Sequence, residues 1–224
     1  MTKQMSESMG IGVLLAVSGG LMDAYSYLFR GEVFANAQTG NILLFSVYLS
    51  RGQWAAALHY LCPILAFSLG IGCAAVIRHL CRERRLHWRQ ICLILEILIL
   101  GLAAPLPQGA NLLANSLISL ACGAQVESFR KIDGSSVATT MCIGNLRSAL
   151  HGLVEMGFTG SQAGKHDARV DLTIILFFAV GAILGSLLLP HAGTFTLWVS
   201  AGLLAVAAAV LFVRPHSPTE GGPL

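Results

Sequence analysis

Residues 33–41 of the chain read Val33-Phe-Ala-Asn-Ala-Gln-Thr-Gly-Asn41, and residues 137–145 read Val137-Ala-Thr-Thr-Met-Cys-Ile-Gly-Asn145. We call them the first arm and the second arm. Each arm follows an apolar segment that ends in polar residues and a glycine, and each enters another apolar segment at its Gly-Asn pair. A polar pattern that recurs in an apolar chain predicts two structural halves that meet at a shared site.

The composition of the chain is that of an integral membrane protein. Hydrophobic residues make up 55% of the 224 residues and charged residues 11%, whereas roughly a quarter of the residues in ordinary soluble domains are charged. Apolar runs near the length of a bilayer-spanning helix occur at residues 9–29, 55–77, 91–106, 112–129, 172–189 and 195–213. We therefore expect an all-α polytopic membrane protein that forms a single transmembrane domain over residues 1–224.

The segments that follow the arms decide how many times the chain crosses the membrane. Residues 42–49 are about half a bilayer long at 1.5 Å per residue, and the run after the second arm carries Arg147, His151 and Glu155. If both segments enter the membrane and return, the chain crosses six times, and 12 of its 14 Lys and Arg residues lie on one side. If both cross fully, the cations divide eight to five, with Arg147 inside the membrane.

The positive-inside rule favours the six-crossing topology. It places both termini and the arginine-rich loop of residues 78–89 in the cytoplasm, and it leaves Arg30 and Arg51 on the opposite side. Six crossings divide into two groups of three, over residues 9–106 and 109–213, whose first helices run in opposite directions. We therefore predict six crossing helices plus two re-entrant half-helix segments, arranged as an inverted 3+3 repeat.

Glycines inside the apolar runs predict close contacts between helices. Phe67-x-x-Gly70 in the second run recurs as Phe178-x-x-Gly181 in the fifth, which agrees with a repeat. Ser68 and Gly72 lie on either side of Gly70, and Gly185 lies one turn after Gly181. Faces of small residues let helix backbones approach one another, so we expect these glycines to serve helix packing.

A re-entrant backbone cannot face lipid, because its unpaired amide and carbonyl groups would be costly there. It has to be buried in protein or to line a wet cavity. Residues 39–41 and 143–145 are typical of the starts of half-helices, entering from opposite faces. Their positive dipole ends would point toward the middle of the membrane, which suits an anion or a carboxylate-bearing solute. The alternative is a purely structural role, in which each arm caps itself.

Three carboxylates lie within or at the edge of apolar segments. Asp23 follows two glycines inside the first run, and Glu96 is flanked by aliphatic residues in the third. A carboxylate in hydrocarbon is costly unless it is paired or protonated. Asp23 and Glu96 are therefore candidates for proton coupling, with a structural polar clamp between helices as the alternative. Glu127, near the end of the fourth run, is expected to pair with Arg130 or Lys131.

Two motifs accompany the arms. The first is Gly-x-x-Asp-Ala followed by Phe-Ala-Asn-x-x-Thr-Gly-Asn, and the second is Gly-x-Gln followed by Thr-Thr-x-x-x-Gly-Asn. With these motifs the chain resembles the YoaK-like bacterial inner-membrane proteins. That family carries only a domain-of-unknown-function label. The resemblance extends over roughly residues 10–213 and implies a polytopic inner-membrane protein of six or so helices, without a substrate. The matching residues are Gly20, Asp23, Ala24, Asn36, Thr39, Gly40, Asn41, Gln125, Thr139, Thr140, Gly144 and Asn145.

The second half departs from that family pattern at two positions. Val126 stands where the family tends to have Asn, and Ile143 stands where it has Thr. Both changes remove polar groups near the second arm. The resemblance therefore implies that the two halves of the site are chemically unequal.

No catalytic set or cofactor motif is evident. The histidines are not at ligand spacing, the six cysteines are typical of buried small hydrophobes rather than of disulfides, and no phosphate-binding or dinucleotide motif occurs. The net charge of +3 reflects loop arginines rather than a nucleic-acid-binding surface. Residues 157–169 are expected to form a polar cytoplasmic loop. We expect no enzyme activity, no cofactor, no metal site and no nucleic-acid partner.

These observations favour a small secondary transporter or permease that moves a small polar or anionic solute past a site at the middle of the bacterial inner membrane. The alternative is a non-transporting membrane scaffold or accessory subunit whose polar motifs only lock helices together. A transporter needs a cavity that reaches the arms, whereas a scaffold would be packed solid there. The expected partners are the lipid bilayer and the solute, and homo-oligomer formation is left open. The expected solute-binding residues are Asn36, Gln38, Thr39, Gly40, Asn41, Gln125, Thr139, Thr140, Gly144 and Asn145, and the expected proton-coupling residues are Asp23 and Glu96.

A reporter fused after Val213 should register as cytoplasmic, because the six-crossing topology places the C-terminus on the side of the arginine-rich loop. Paired fusions to alkaline phosphatase and to green fluorescent protein at that position measure the location directly. Phosphatase activity from the first fusion, without fluorescence from the second, would rule out the six-crossing topology and the inverted repeat with it.

Overall fold

The computed structural model describes residues 7–81 and 88–213, and the described residues form eight α-helices, two short 3-10 turns and one two-stranded hairpin. The antiparallel strands are β1 (Lys131–Ile132) and β2 (Ser135–Ser136). The helices are α1 (Met9–Phe29), α2 (Gln38–Ser50), α3 (Trp54–Leu80), α4 (Trp88–Ala103), α5 (Asn111–Ser128), α6 (Cys142–Thr159), α7 (Gln162–Ala192) and α8 (Thr196–Val213).

Three helical stretches are long and apolar enough to cross a membrane: Met9–Phe29, Trp54–Leu80 and Gln162–Phe212. The third contains α7 and α8, which are joined by the 3-10 turn Gly193–Phe195. Many large apolar side chains on the outer faces of the helices are exposed, as they are in α3 and α7. Extended apolar surface of this kind fits contact with lipid. The prediction of an all-α membrane protein agrees with this structure.

The prediction of a polar loop over residues 157–169 is wrong, because only residues 160 and 161 separate α6 from α7. Gly160 ends α6 with φ +70°, a left-handed conformation that favours glycine. The Ser161 hydroxyl accepts a hydrogen bond from the backbone N–H of Gly164 (3.1 Å) and caps α7. Helical turns therefore extend through polar residues that composition alone assigned to a loop.

The close contact between α1 and α7 depends on two glycines. A Cβ atom built on Gly20 would overlap the carbonyl oxygen of Phe178, and one built on Gly181 would overlap the carbonyl oxygen of Val17. The two backbones can touch only because neither position carries a side chain. This contact brings the first helix of the chain against a helix from its second half.

A second contact, between α3 and α5, is built in the same way. A Cβ atom on Gly70 would overlap the carbonyl oxygen of Leu120, and one on Gly123 would overlap the carbonyl oxygen of Phe67. The prediction that Gly70 and its counterpart in the fifth run serve helix packing is therefore confirmed. Gly72, which we expected on the same face, has no neighbour within 4 Å of its position for a Cβ atom.

The other helices pack in related pairs. α4 contacts α8 and α5, α8 also contacts α1, α2 lies on α3, and α6 lies on α7. Exchanging α1 with α5, α2 with α6, α3 with α7 and α4 with α8 leaves the α4–α8 pair unchanged. It turns each of the other pairs, and each of the two glycine contacts, into another contact of the set. The main apolar core lies among α1, α4, α5 and α8.

Polar contacts gather several chain segments at one end of the helices. Arg89, at the start of α4, pairs with Glu7 (3.1 Å) and donates to the Ser128 carbonyl (2.9 Å) at the end of α5. Glu127 lies 3.7 Å from Arg130, the pairing expected from the sequence. The predicted loop arginines Arg82, Arg84 and Arg85 and both chain termini lie outside the described residues.

Arg30 is counted as a loop cation in the topology, but its side chain is fully buried. The guanidinium donates to the carbonyl oxygens of Leu106 (2.8 Å) and Pro107 (3.1 Å), and to the Tyr25 hydroxyl (2.9 Å). Carbonyl groups beyond a helix C-terminus carry partial negative charge. They satisfy this cation and tie the end of α1 to the connection between α4 and α5.

Gly70→Ala and Gly72→Ala form a matched pair on α3. The first should destabilise the protein by about 1–3 kcal/mol, because it forces the α3 and α5 backbones apart. The second should be neutral or stabilise by up to about 1 kcal/mol, since alanine is the better helix former and meets open space. Thermal unfolding of the two purified variants in one detergent measures the difference. Equal melting temperatures would contradict the assigned role of Gly70.

Candidate solute-binding site

The first arm runs back along α1 instead of leaving it. After α1 ends, the chain turns at Gly31 and Glu32, whose φ angles are +87° and +59°. The backbone N–H of Asn36 then donates to Asp23 Oδ1 (2.7 Å), and Asn36 Nδ2 donates to the Gly19 carbonyl (3.1 Å). Gly19 lies ten residues before the end of α1. The arm therefore returns about 15 Å along the helix at 1.5 Å per residue.

The second arm reaches the same turn of α1. The Thr140 methyl group packs so closely on Gly19 that a Cβ atom there would lie 2.5 Å from it. Gln125 Nε2 donates to Thr139 Oγ1 (3.2 Å) and to a backbone carbonyl of α1 (3.3 Å), which links α5, the second arm and α1. Because Asn36 binds the carbonyl of Gly19, the two arms converge on that residue.

The asparagine at the end of each arm closes the arm on itself. Asn41 Oδ1 accepts from the backbone N–H of Phe34 (3.0 Å), and Asn41 Nδ2 donates to the Phe34 carbonyl (2.7 Å). Asn145 makes the same two hydrogen bonds to Ala138, at 3.2 and 2.7 Å. Each asparagine thus satisfies both backbone groups of a residue in an irregular, buried segment. These hydrogen bonds are the ones expected from the structural alternative, in which each arm closes on itself.

Further contacts hold the first arm in place. Gln38 Nε2 donates to the Ala35 carbonyl (2.8 Å), and the Ser26 hydroxyl accepts from the Ala35 backbone N–H (3.1 Å). A Cβ atom on Gly40 would lie 2.7 Å from the Phe34 ring, so a larger residue there would displace the ring. The corresponding Gly144 of the second arm has open space around it.

A cavity of about 680 Å³ lies between the beginnings of α2 and α6. Both arms contribute to its wall, together with α1 and α7. Most of the lining residues are apolar, and the aromatic ones among them are Tyr27, Phe34 and Phe178. The polar lining residues are Asp23, Asn36, Gln38, Thr39 and Thr140.

All the predicted site residues except Glu96 fall into two groups. Those five polar residues and Gly144 line the cavity. Gly40, Asn41, Gln125, Thr139 and Asn145 do not line it and instead hold the arms in position. Glu96 lies elsewhere, on α4. The structure therefore brings half of the predicted residues to one surface and places most of the others directly behind it.

Several polar groups at the cavity have no partner among the described residues. Asn36 is 1% exposed and Thr140 is 3% exposed, yet Asn36 Oδ1 and Thr140 Oγ1 make no hydrogen bond. A buried polar atom left without a partner costs about 1–3 kcal/mol. Asp23 accepts from the Asn36 backbone, and no cationic side chain of the described residues pairs with it. Asp23, Asn36 and Thr140 all belong to the cavity wall.

The N-termini of two helices lie at the same cavity. α2 has 13 residues and α6 has 18, and neither has a side-chain cap, since their N-cap residues are Ala37 and Met141. The first amides of a helix lack partners within the helix and form the positive end of its dipole. The Gln38 and Gly40 amides of α2 already donate to the Asn36 and Ala37 carbonyls (2.9 and 3.0 Å). The dipoles of both helices still make the space favourable for a negatively charged group.

Two other buried carboxylates lie away from the cavity. Glu96 is 1% exposed, and its Oε1 atom has no hydrogen-bond partner. Asp171, on α7, is also 1% exposed, and its carboxylate lies beside the Ser148 side chain of α6. Asp171 is not among the predicted site residues, because it directly precedes an apolar run and follows a polar stretch. The signal that marks its burial is the pair Gly152 and Gly164, which lets α6 and α7 pack in close contact.

The apolar helices and the polar arms buried among them define a polytopic helical membrane protein. The chain belongs to a family described as a protein of unknown function (DUF1275), whose model matches residues 11–210. It is similar to the UPF0700 transmembrane protein YoaK of Bacillus subtilis (strain 168), with 26% identity over 195 residues that cover 83% of this chain and 86% of YoaK. No solved structure matches it. The YoaK-like resemblance of the arm motifs is therefore confirmed, and so is a membrane location.

Asn41→Ala should lower the stability of the protein by about 1–3 kcal/mol, because both backbone groups of Phe34 lose their partner. Asn145→Ala should have a similar effect through Ala138. Thr39→Ala is the control, since Thr39 lines the cavity and is exposed, and it should leave the melting temperature unchanged. If all three variants melt together with the wild-type protein, the asparagines do not hold the arms.

Proposed function

We propose that this protein is a small secondary transporter, or permease, for a small polar or anionic solute that binds between the two arms. The observation that carries the proposal is the cavity at the beginnings of α2 and α6. Its volume of about 680 Å³ lies within the range of roughly 300–1,000 Å³ that is usual for small-molecule sites. The space opens at the surface of the helices, since Leu28 and Ile143 in its wall are exposed. Both arms contribute to that wall, as a solute site between them requires.

The proposal includes six crossing helices, two re-entrant segments and an inverted repeat. Each predicted apolar run lies on one of the helices α1, α3, α4, α5, α7 and α8. Both arms lie beside α1, and the exchange of helices between the halves preserves the packing pairs. Transporters built from inverted repeats bind their solute near the middle of the membrane and rock one unit against another around it.

In this topology the protein lies in the bacterial inner membrane with both termini in the cytoplasm. Arg78, Arg89, Arg130 and Lys131 line one depression at one end of the helices, as the positive-inside rule requires of a cytoplasmic face. Arg51 lies at the other end, just after α2. The charge distribution over the described residues thus supports the proposed orientation.

Asp23 is the proposed proton-coupling residue of the cavity, and Glu96 is the second. Ionisable groups inside membrane segments commonly serve as proton relays in transporters. Asp23 lies in the cavity wall beside the first arm, where it could exchange a proton as the solute binds. Glu96 lies outside the cavity wall, so its part would be to accept or deliver protons at a distance from the solute.

One observation favours the alternative function, a non-transporting scaffold or accessory subunit. Asn41 and Asn145, the most distinctive residues of the arm motifs, use their side chains to close the arms. In that role they would serve any protein that needs two rigid, buried polar loops. The two functions differ in whether a solute passes through the cavity.

Ile143→Trp tests the transport proposal. Ile143 lines the cavity and is 80% exposed, so a tryptophan there should obstruct the space without disturbing the core. Leu150→Trp is the matched control, because it lies two turns along the same helix, is 54% exposed and does not line the cavity. Proteoliposomes would be tested for uptake of radiolabelled short-chain carboxylates, amino acids, polyols and phosphate.

We expect the wild-type protein and Leu150→Trp to take up at least one of these solutes above the level of empty liposomes. Uptake of that solute should fall at least tenfold in Ile143→Trp. No uptake by folded wild-type protein across the whole panel would favour the scaffold.

A further inference from the structure

Asp23 and Asn36 place hydrogen-bond acceptors on one side of the cavity. One N–H of Asn36 Nδ2 donates to the Gly19 carbonyl, and the acceptor Oδ1 has no partner. The neighbouring Asp23 carboxylate is an acceptor as well when ionised. An anion bound beside these two residues would leave the Asn36 oxygen unpaired and would be repelled by Asp23. This side of the cavity suits a positively charged donor.

The other polar groups have the opposite character. The helix dipoles of α2 and α6 favour negative charge at their N-termini. The first amides of α6 are donors there, whereas the Gln38 and Gly40 amides of α2 already donate to the Asn36 and Ala37 carbonyls. The unpartnered Thr140 hydroxyl adds a donor from the second arm. A cation bound alone would leave these donors unused and would face two positive helix ends. The cavity thus has an anion-favouring side and a cation-favouring side.

The remaining lining of the cavity is apolar. Phe34 from the first arm, Ile143 from the second and Phe178 from α7 contribute to its wall. Burial of an apolar group against these side chains is favourable in proportion to the area removed from water. A solute made only of charged groups would leave this surface unused.

We propose that the solute is a small zwitterion with an apolar body, of the class of apolar α-amino acids. Its ammonium group binds Asp23 and Asn36 Oδ1, and its carboxylate binds the amides at the beginning of α6 together with Thr140, near the positive end of the α2 dipole. The apolar side chain lies against the aromatic and aliphatic wall. This inference rests on the proposed transport function and narrows its solute to one chemical class.

The same arrangement explains how solute and proton would be linked. A buried carboxylate is costly without a partner, and Asp23 has no cation among the described residues to pair with. The ammonium group supplies the missing positive charge while the solute is bound. A proton takes its place when the solute leaves, so the solute and the proton compete for one carboxylate.

Three probes of nearly the same shape test the zwitterion. L-leucine carries both charges, 4-methylpentanoate lacks the ammonium group, and 3-methylbutylamine lacks the carboxylate. Their affinities for the purified full-length protein in nanodiscs would be measured by isothermal titration calorimetry. We expect leucine to bind at least tenfold more tightly than either analogue.

The Asp23→Asn variant tests whether Asp23 binds the ammonium group of the solute. It should weaken leucine binding at least tenfold and leave the affinity for 4-methylpentanoate unchanged or higher, so that the preference between the two is lost. Glu127→Gln is the matched control, because Glu127 forms a peripheral ion pair with Arg130 and does not line the cavity. It should keep the wild-type preference, and melting temperatures report whether each variant is folded.

The outcomes separate this inference from the transport proposal. If wild-type protein binds 4-methylpentanoate as tightly as leucine, the solute is an anion; if it binds 3-methylbutylamine as tightly, the solute is a cation. Either result overturns the zwitterion and leaves transport standing. If none of the three probes binds while a solute of another class enters proteoliposomes, the class is wrong and the function holds. If nothing binds and nothing enters, both fail. An unchanged preference in folded Asp23→Asn would remove Asp23 from ammonium recognition.

Discussion

The backbone contacts at Gly20 and Gly181, and at Gly70 and Gly123, constrain the rest of this molecule. Lipid tails are as apolar as leucine, so helices in a bilayer gain little from apolar burial alone and depend on close packing. The first contact sets α1 against α7, and the second sets α5 against α3. Both arms then meet α1 within one turn of the first contact, at Gly19. A side chain at these glycines would move the helices that support the cavity.

The second constraint is that irregular backbone inside a membrane protein must find hydrogen-bond partners. The arms meet it with their own side chains: Asn41 serves Phe34, and Asn145 serves Ala138. Other polar side-chain atoms do not serve the backbone of the arms and have no partner where the arms converge. Asn36 Oδ1 and Thr140 Oγ1 are such atoms, and both belong to residues that line the cavity. The proposed function depends on this difference between residues that hold the arms in position and residues that line the cavity.

Much of the fold could be predicted, because apolar runs and glycine turns are local signals. The predicted first run coincides with α1, and the predicted runs in α3 and α5 differ from the helices by only a few residues at each end. The prediction of a loop over residues 157–169 was wrong, because a polar segment can still be helical when caps end one helix and begin the next. Arg30 looked like a loop cation, since the carbonyl groups that bury it come from the distant connection between α4 and α5.

The sequence by itself determined that the chain resides in a membrane, where the apolar helices lie, and that two related polar arms interrupt them. These properties follow from composition, length and spacing, which are read along the chain. Only the tertiary structure decided which polar residues of the arms face a cavity. Asn36 and Asn41 are the same residue type in the same arm. Asn36 retains an unpaired oxygen at the cavity, whereas Asn41 closes the arm. The difference depends on partners that α1, α5 and α7 bring from remote parts of the chain, and local sequence cannot encode their positions.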